Sequence, residues 1–302
     1  GPGFRYAAWY KSAWGVLEDI VTLLRDPKTY SDKHGYEAQY ASGFFAEFKQ
    51  ILEEQGGGFF ADAIKSDPPE HTRIRTLLNG AFTAHRVKML EPVITRIIAD
   101  LADQLAEKAA NGQAVDGVKD FAIPLTIAVI CEQLGMSQYD GDKISEWSAA
   151  ITAQIGRMQN REQMVENAMK VCELQNYIIS QMKDRENEPK EDMISDLVHA
   201  TLDDGGKLEF GEAVSLIRAL IIAGNDTTAT AIGNLMFILA TQPDLAQQLF
   251  DNVEDERYLN RFVEELLRFA PPVRGLAKMT TCETELGGVK LPKDAHMLVL
   301  YG

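Results

Sequence analysis

Cysteine is scarce in this sequence of 302 residues, which has only Cys131, Cys172 and Cys282, far apart in the chain. So few, so widely spaced and odd in number, they do not suggest a disulfide framework and favour a reduced, cytoplasmic setting. No apolar run approaches the roughly 20 residues that a membrane-spanning helix needs. Residues 1–14 also lack a signal-peptide pattern. These absences predict a soluble, cytoplasmic protein with no membrane partner.

Basic residues are also in short supply, since 30 Lys and Arg stand against 45 Asp and Glu, for a net charge of −15. Nucleic-acid binding relies on clustered Lys and Arg, so a nucleic-acid partner is not expected. The chain has no Gly-x-Ser-x-Gly, His-Glu-x-x-His, Cys-x-x-Cys or glycine-rich phosphate loop. The hydrolase, zinc-protease, dithiol and nucleotide-binding motifs are therefore missing.

Most of the sequence has apolar residues at helical spacing. Ser66 and Asp67 are candidate caps for a long helical stretch, with prolines in its first turn, and Pro92 is expected to break that stretch into two helices. The predicted helices cover residues 18–27, 66–110, 121–134, 142–155, 162–185, 192–202, 209–241, 244–250 and 257–269.

The C-terminal segment TCETELGGVKLPKDAHMLVLYG alternates apolar and polar residues on both sides of Gly287 and Gly288, which predicts a β-hairpin. A short strand is also expected within residues 5–17. There is no internal repeat or flexible linker, so residues 1–302 are expected to form a single, mainly α-helical domain with a small β portion. Both ends look cut, and we expect the chain to be a fragment of a longer domain.

The stretch LIIAGNDTTATAIGNLM, residues 220–236, places polar residues in the middle of the most apolar predicted helix. One interpretation is two helices that meet at Gly224, with Asp226 as the N-cap of the second. The other is one helix, locally opened, in which Gly224 lets a ligand approach the backbone while Asp226 and Thr227 handle protons. A buried carboxylate without partners is costly, which favours a function for it.

Two further pairs of charged residues have helical spacing. His71 and Arg75 are four residues apart near a helix N-terminus, where two cationic donors suit a bound carboxylate or phosphate. A solvated helix face explains the same spacing. Glu265 and Arg268 are three apart and can pair on one helix, but surface pairs of this kind contribute little stability.

Taken in order, these three features resemble motifs of the cytochrome P450 family, the haem-thiolate monooxygenases, in its soluble bacterial type. The resemblance extends from about Trp14 to the end of the chain and includes the weaker segments DLVHATLDDG and ELGGVKLPK. The motifs are AGNDTT at 223–228, DPPEHTRIR at 67–75 and EELLR at 264–268.

The resemblance implies a haem cofactor and a catalytic role for the central helix. Ala223 and Gly224 would leave room beside the haem iron for dioxygen and substrate. Thr227 would hydrogen-bond the bound oxygen, and Asp226 would relay protons to it. The implied reaction is insertion of one oxygen atom into an apolar organic substrate. Because no flavin or nicotinamide motif is visible, electrons would come from a separate ferredoxin or flavodoxin with its reductase.

The same resemblance assigns supporting residues. His71 and Arg75 would bind the haem propionates, and Glu265 and Arg268 would be structural. A further propionate contact falls on Lys278, where the family usually has Arg; lysine keeps the charge but loses the two-pronged guanidinium. The axial Cys of the family lies in a Phe-x-x-Gly-x-x-x-Cys-x-Gly loop, which is expected beyond residue 302. No iron ligand is therefore expected within this chain.

Two other functions are weighed against this one. An isoprenoid cyclase is also helical and acidic, but its magnesium motifs are incomplete here, since Ala229 and Gly233 replace key polar residues of NDTTATAIG. A truncated relative that keeps the fold and acts as a binding module is the second. The segments GFFAEF and GGGFF lie in a region where the family has a specificity loop, and they predict an apolar, mobile lid.

Overall fold

The computed structural model of the chain describes residues 13–40, 43–62, 65–82, 84–136, 141–156, 159–202 and 206–300. Its helices occur in the predicted order, with two additional ones, α2 and α3, before residue 66. None of the helices in these ranges is long and apolar enough to cross a membrane. The helices are α1 (Ala13–Arg25), α2 (Asp32–Gln39), α3 (Gly43–Gln55), α4 (Glu70–Ala81), α5 (Ala84–Ala110), α6 (Ile123–Leu134), α7 (Gly141–Gly156), α8 (Arg161–Asn187), α9 (Met193–Val198), α10 (Phe210–Thr241), α11 (Pro243–Asp251) and α12 (Glu256–Phe269), with a π-helical turn at Val118–Ala122 before α6.

The β-structure forms two small antiparallel sheets. The hairpin turns at Gly287 and Gly288, whose φ angles of 59° and 81° suit glycine. The predicted hairpin is therefore confirmed for β3 and β4, whereas the last strand pairs with β2, a strand that the sequence did not indicate. The strands are β1 (Tyr30–Ser31), β2 (Gly275–Thr280), β3 (Thr284–Leu286), β4 (Val289–Leu291) and β5 (His296–Leu300), in the orders β1-β2-β5 and β3-β4.

The expected break at Pro92 is wrong. Pro92 lies inside α5, which is continuous from Ala84 to Ala110. Pro92 is exposed, so the carbonyl that loses its amide donor can face water instead. The strand expected within residues 5–17 lies partly outside the described residues, and its described part, residues 13–17, is helical.

Asp67, one of the two expected caps of α4, instead bonds to a different helix. α4 begins at Glu70, and Pro69 at its N-cap offers no side-chain hydrogen bond. The carboxylate of Asp67 instead accepts hydrogen bonds from the hydroxyl of Ser31 and, at 3.1 Å, from the amide of Asp32. Asp67 therefore ties the segment before α4 to the N-terminus of α2.

Helix α10 is the central element of the described structure. It has 32 residues without interruption, a length of about 48 Å at 1.5 Å per residue. The interpretation of two helices meeting at Gly224 is therefore wrong, and the helix shows no opening there. Its N-terminal half is buried among α6, α8 and α9 in the main core, which includes Leu134, Ile178, Ile194, Ile217 and Ile221.

A buried ion pair joins the end of α8 to the start of α9. The guanidinium of Arg185 lies 2.9 Å from the carboxylate of Asp192 and donates at 2.7 Å to the carbonyl of Gly135. The two charged side chains are only 1% and 6% exposed. Removing one partner would leave the other charge buried and uncompensated.

We expect Arg185→Met to lower the free energy of unfolding by about 3–5 kcal/mol, because Asp192 keeps its charge without a counter-ion. The measurement is denaturant unfolding followed by circular dichroism. Arg161→Met is the control, since Arg161 pairs with Glu47 on the surface, where such a pair contributes about 1 kcal/mol or less. Equal losses in the two variants would contradict this account.

Candidate functional site

The carboxylate of Asp226 is held by hydroxyl groups of the neighbouring helix α7. Ser148 Oγ donates to Oδ1 at 3.1 Å, and Thr152 Oγ1 donates to Oδ2. The side-chain amide of Asn225 also donates to Oδ1, at 3.2 Å. Asp226 is thus neither a helix cap nor an unsatisfied carboxylate, because both of its oxygens accept hydrogen bonds.

Asn225 extends this network to a third helix. Its side chain is almost fully buried, and its Oδ1 accepts a hydrogen bond of 2.7 Å from Thr126 Oγ1 of α6. Asn225 and Asp226 therefore connect α10 to both α6 and α7 through side chains. The sequence offered no signal for Ser148, Thr152 or Thr126 as partners, because they lie on other helices.

Thr227 points in a different direction from Asp226. Its hydroxyl donates to the carbonyl of Ala223, one turn earlier, at 2.6 Å. Consecutive helical residues are about 100° apart, so Thr227 shares the side of Ala223 while Asp226 faces α7. Asp226 and Thr227, the two predicted catalytic residues, are therefore adjacent in sequence but lie on different faces of α10.

One stripe of α10 is open to solvent in the described part of the chain. Ala223, Thr230 and Phe237 are exposed, Phe237 by 69%. Their spacing of seven residues puts them on one face, close to that of Thr227. Ala223, Thr227, Thr230 and Phe237 are called the open stripe below. Its first three side chains are small and uncharged, so a flat apolar group such as the haem ring can approach the helix closely there.

Gly224 has a packing role in this structure. A Cβ atom at this position would lie 3.2 Å from Ile130 Cδ1 of α6, which is tighter than ordinary contact. Glycine therefore permits the close approach of α10 to α6. The expectation that Gly224 also leaves space beside the cofactor stays a prediction.

His71 and Arg75 lie on one exposed face of α4, as predicted. No carboxylate in the described ranges pairs with either side chain. Arg73 of the same helix, which the sequence did not single out, is paired with Glu212 of α10. Two cationic side chains without a protein counter-ion fit the anionic propionates of haem.

Lys278, by contrast, already has a carboxylate partner. Its ammonium is buried, 2.5 Å from Asp32 Oδ2 of α2 and 3.5 Å from the carbonyl of Tyr30. The charge that was expected to meet a propionate is used here to join β2 to the first turn of α2. A propionate contact by Lys278 is not seen in this geometry and stays a prediction.

Glu265 and Arg268 form the predicted pair on α12. Nε and one terminal nitrogen of Arg268 donate to the two carboxylate oxygens at 2.7 and 2.6 Å. This double hydrogen bond holds the pKa of the Glu265 carboxyl below its usual range. Both side chains are exposed, and their structural role beneath the haem stays a prediction.

The three cysteines differ in accessibility. Cys131 and Cys172 are buried in the helical core, and burial raises the pKa of their thiols to about 12 and about 11. Both are therefore protonated at neutral pH and unsuited to serve as thiolate ligands. Cys282 is exposed in the turn after β2.

We expect a thiol reagent such as iodoacetamide to label Cys282 alone in the native protein at pH 8. The thiolate form is the nucleophile, and burial suppresses it at the other two cysteines. Intact-mass spectrometry counts the added groups, and unfolding in denaturant should raise the count to three. Rapid labelling of Cys131 or Cys172 in the native state would contradict the burial of these thiols.

Comparison with known proteins now identifies the family. The cytochrome P450 family model matches residues 21–302. The 6-deoxyerythronolide B hydroxylase of Saccharopolyspora erythraea is 31% identical over 293 residues, which cover 97% of this chain and 68% of that relative. The mycinamicin IV hydroxylase/epoxidase of Micromonospora griseorubida is 37% identical over 243 residues, which cover 79% of this chain and 58% of that relative. The solved structure of cytochrome P450 CREJ in complex with (4-ethylphenyl) dihydrogen phosphate matches 93% of this chain and 68% of its own, with a TM-score of 0.82 and 26% identity. This chain belongs to the cytochrome P450 family.

Proposed function

We propose that this chain provides the oxygen-activating part of a haem-dependent monooxygenase that hydroxylates an apolar organic substrate. The observation that carries the proposal is the open stripe of α10, which includes the hydroxyl of Thr227. Bound haem supplies the iron at which dioxygen is reduced. Membership of the family makes the chain an oxidoreductase with haem as cofactor, which decides against an isoprenoid cyclase.

His71 and Arg75 would hold the cofactor by its propionates, since they share one face of α4 and no carboxylate of the described residues pairs with either. Ala223, Thr227 and Thr230 would lie along the ring. Two of the relatives are named 6-deoxyerythronolide B hydroxylase and mycinamicin IV hydroxylase/epoxidase. These names support oxygen insertion into an organic molecule, and we propose the same class of reaction here.

Proton handling would fall to Asp226 and Thr227. Thr152 is exposed and bonded to Asp226, so the carboxylate has a hydroxyl link to water. Rotation of the Asp226 side chain about its Cα–Cβ bond would move the carboxylate from α7 towards Thr227. A positioned carboxylate and hydroxyl can pass protons into an apolar site in this way.

Electrons would come from a separate ferredoxin or flavodoxin with its reductase. The sequence has no dinucleotide fingerprint, so hydride-derived electrons would enter from another protein. The thiolate ligand that the family uses would come from residues outside these 302, since Cys131 and Cys172 are buried and protonated, and Cys282 does not lie in a Phe-x-x-Gly-x-x-x-Cys-x-Gly loop.

The burial of these two cysteines also favours a second candidate, a relative that keeps the fold as a binding module without oxygen chemistry. Haem reconstitution of the full gene product separates the two functions. Binding of one haem with a thiolate-type absorption spectrum supports the monooxygenase, and failure to bind haem supports the module.

We expect Thr227→Ala in the full-length enzyme to lower the product formed per oxygen consumed by at least about tenfold, with the remainder released as peroxide, because a positioned proton donor is lost. Oxygen uptake, peroxide and product are measured together. Thr241→Ala is the control, because Thr241 makes the same one-turn hydrogen bond near the end of α10. Unchanged coupling in Thr227→Ala would contradict the role of this hydroxyl.

We expect haem affinity to depend on His71 and Arg75 more than on Lys278. His71→Ala and Arg75→Ala each remove a charged hydrogen bond to a propionate and should weaken binding by about tenfold or more. Lys278→Met is tested in an Asp32→Asn background, so that no buried carboxylate is left unpaired. Haem titration of the apoprotein gives each dissociation constant. A loss in the Lys278 variant equal to that in Arg75→Ala would place Lys278 at a propionate.

A further inference from the structure

The segment that follows α3 lies against helix α8 through its backbone. Gln175 Nε2 of α8 donates to the carbonyls of Gly56 and Gly58, the latter at 2.6 Å. Asn176 Nδ2 donates at 2.9 Å to the carbonyl of Gln55. Gln175 is fully buried, and both hydrogen bonds that its amide nitrogen donates go to this segment.

The glycines of this segment match the surface on which they lie. A Cβ atom at Gly56 would be 3.1 Å from Gln175 Nε2, and one at Gly57 would be 2.7 Å from Ile179 Cδ1. Gly57 and Gly58 also have φ angles of +78° and +138°, which other residues rarely adopt. Side chains at these positions would hold the backbone away from α8.

Arg218 of α10 fixes the other end of the segment. Its guanidinium donates to Gln175 Oε1 at 2.8 Å and to the carbonyl of Phe60 at 3.0 Å. Arg218 is 7% exposed, and no carboxylate in the described part of the chain pairs with it. If the segment moved away, Arg218 and Gln175 would both lose buried hydrogen-bond partners, which is costly.

The segment also forms one wall of a cavity of about 730 Å³ between α2, α3, α4 and the N-terminal end of α10. Phe59 and Phe60 line it together with Tyr36 and Tyr40. Phe60 packs edge-on against Phe210, with ring centroids 6.0 Å apart. Charged side chains of both signs line the rest of the cavity, among them Lys33, Lys49, Glu70 and Glu212.

We propose that Gln175 and Arg218 are positioning residues that hold the segment Gly56–Phe60 as a fixed aromatic wall, which sets the size of ligand that the protein admits. A docked segment differs from the mobile lid that the sequence predicts, and hydrogen exchange distinguishes the two. The inference rests on the proposed function in placing this cavity on the route of the substrate.

The first test is hydrogen–deuterium exchange of the full-length protein, followed in peptides that cover residues 52–62. The amides of Gly56 and Gly58 bond to the carbonyl of Leu52 and report on docking. Gln175→Leu and Arg218→Met should each raise exchange in this segment about tenfold or more. Arg185→Met is the matched control, because it removes an equally buried guanidinium that does not contact the segment.

Gln175→Glu removes the hydrogen bonds to Gly56 and Gly58 but keeps the one from Arg218. It also serves as a second variant if Gln175→Leu does not fold. A glutamate can still accept from Arg218 but cannot donate to Gly56 and Gly58. Exchange should therefore rise in the glycine segment while the melting temperature stays near that of the wild type. If neither Gln175 variant nor Arg218→Met raises exchange above the Arg185→Met control, the proposal is overturned.

The second test uses azoles that ligate haem iron, compared as imidazole against 1-(diphenylmethyl)imidazole in spectral titrations. With the wall released, Gln175→Leu and Arg218→Met should gain about tenfold in affinity for the larger azole relative to imidazole, and Arg185→Met should show no gain. If the ratio of the two azole affinities is unchanged in variants whose segment exchanges faster, the segment Gly56–Phe60 does not limit the size of the ligand. If the wild-type protein binds neither azole, the proposed haem function fails, and the exchange comparison alone decides the role of Gln175 and Arg218.

Discussion

The structure depends on satisfying the polar groups at the centre of helix α10. The helix is long and mostly apolar, yet Asn225, Asp226 and Thr227 sit at its centre. Each finds a partner: Thr126 on α6, Ser148 and Thr152 on α7, and the helix's own carbonyl at Ala223. Because an unsatisfied buried donor or acceptor costs about 1–3 kcal/mol, these contacts fix how α6 and α7 pack against α10.

The same requirement explains how the described buried cations are used. Arg185 and Lys278 each meet a carboxylate, and these pairs join α8 to α9 and β2 to α2. Arg218 meets only neutral acceptors, one of which belongs to the segment Gly56–Phe60. The carbonyl of Phe60 therefore replaces water as a hydrogen-bond acceptor for Arg218. Undocking the segment would remove this acceptor from a buried guanidinium, which is costly.

Helix α10 has faces that pack against other helices and one face that is open. Gly224, Asn225 and Asp226 face neighbouring helices, and no described part of the chain covers the open stripe that includes Ala223 and Thr227. Because other helices hold α10 on its remaining sides, the open stripe has one fixed position. The binding of a flat cofactor and the positioning of a hydroxyl both require such a fixed surface. On α4, Arg73 forms an ion pair with Glu212 of α10, whereas His71 and Arg75 have no carboxylate partner among the described residues.

The sequence by itself determined most of the helices, the hairpin turn at Gly287 and Gly288, and the motifs at 67–75, 223–228 and 264–268, because periodicity, turn chemistry and spacing are local properties. The family comparison confirms the fold that these motifs implied. Only the tertiary structure decided that Asp226 turns to α7, that Lys278 meets Asp32 and that the glycine segment docks on Gln175. These partners are 78, 246 and 119 residues apart, and a buried polar group takes whichever partner the packed helices bring within reach.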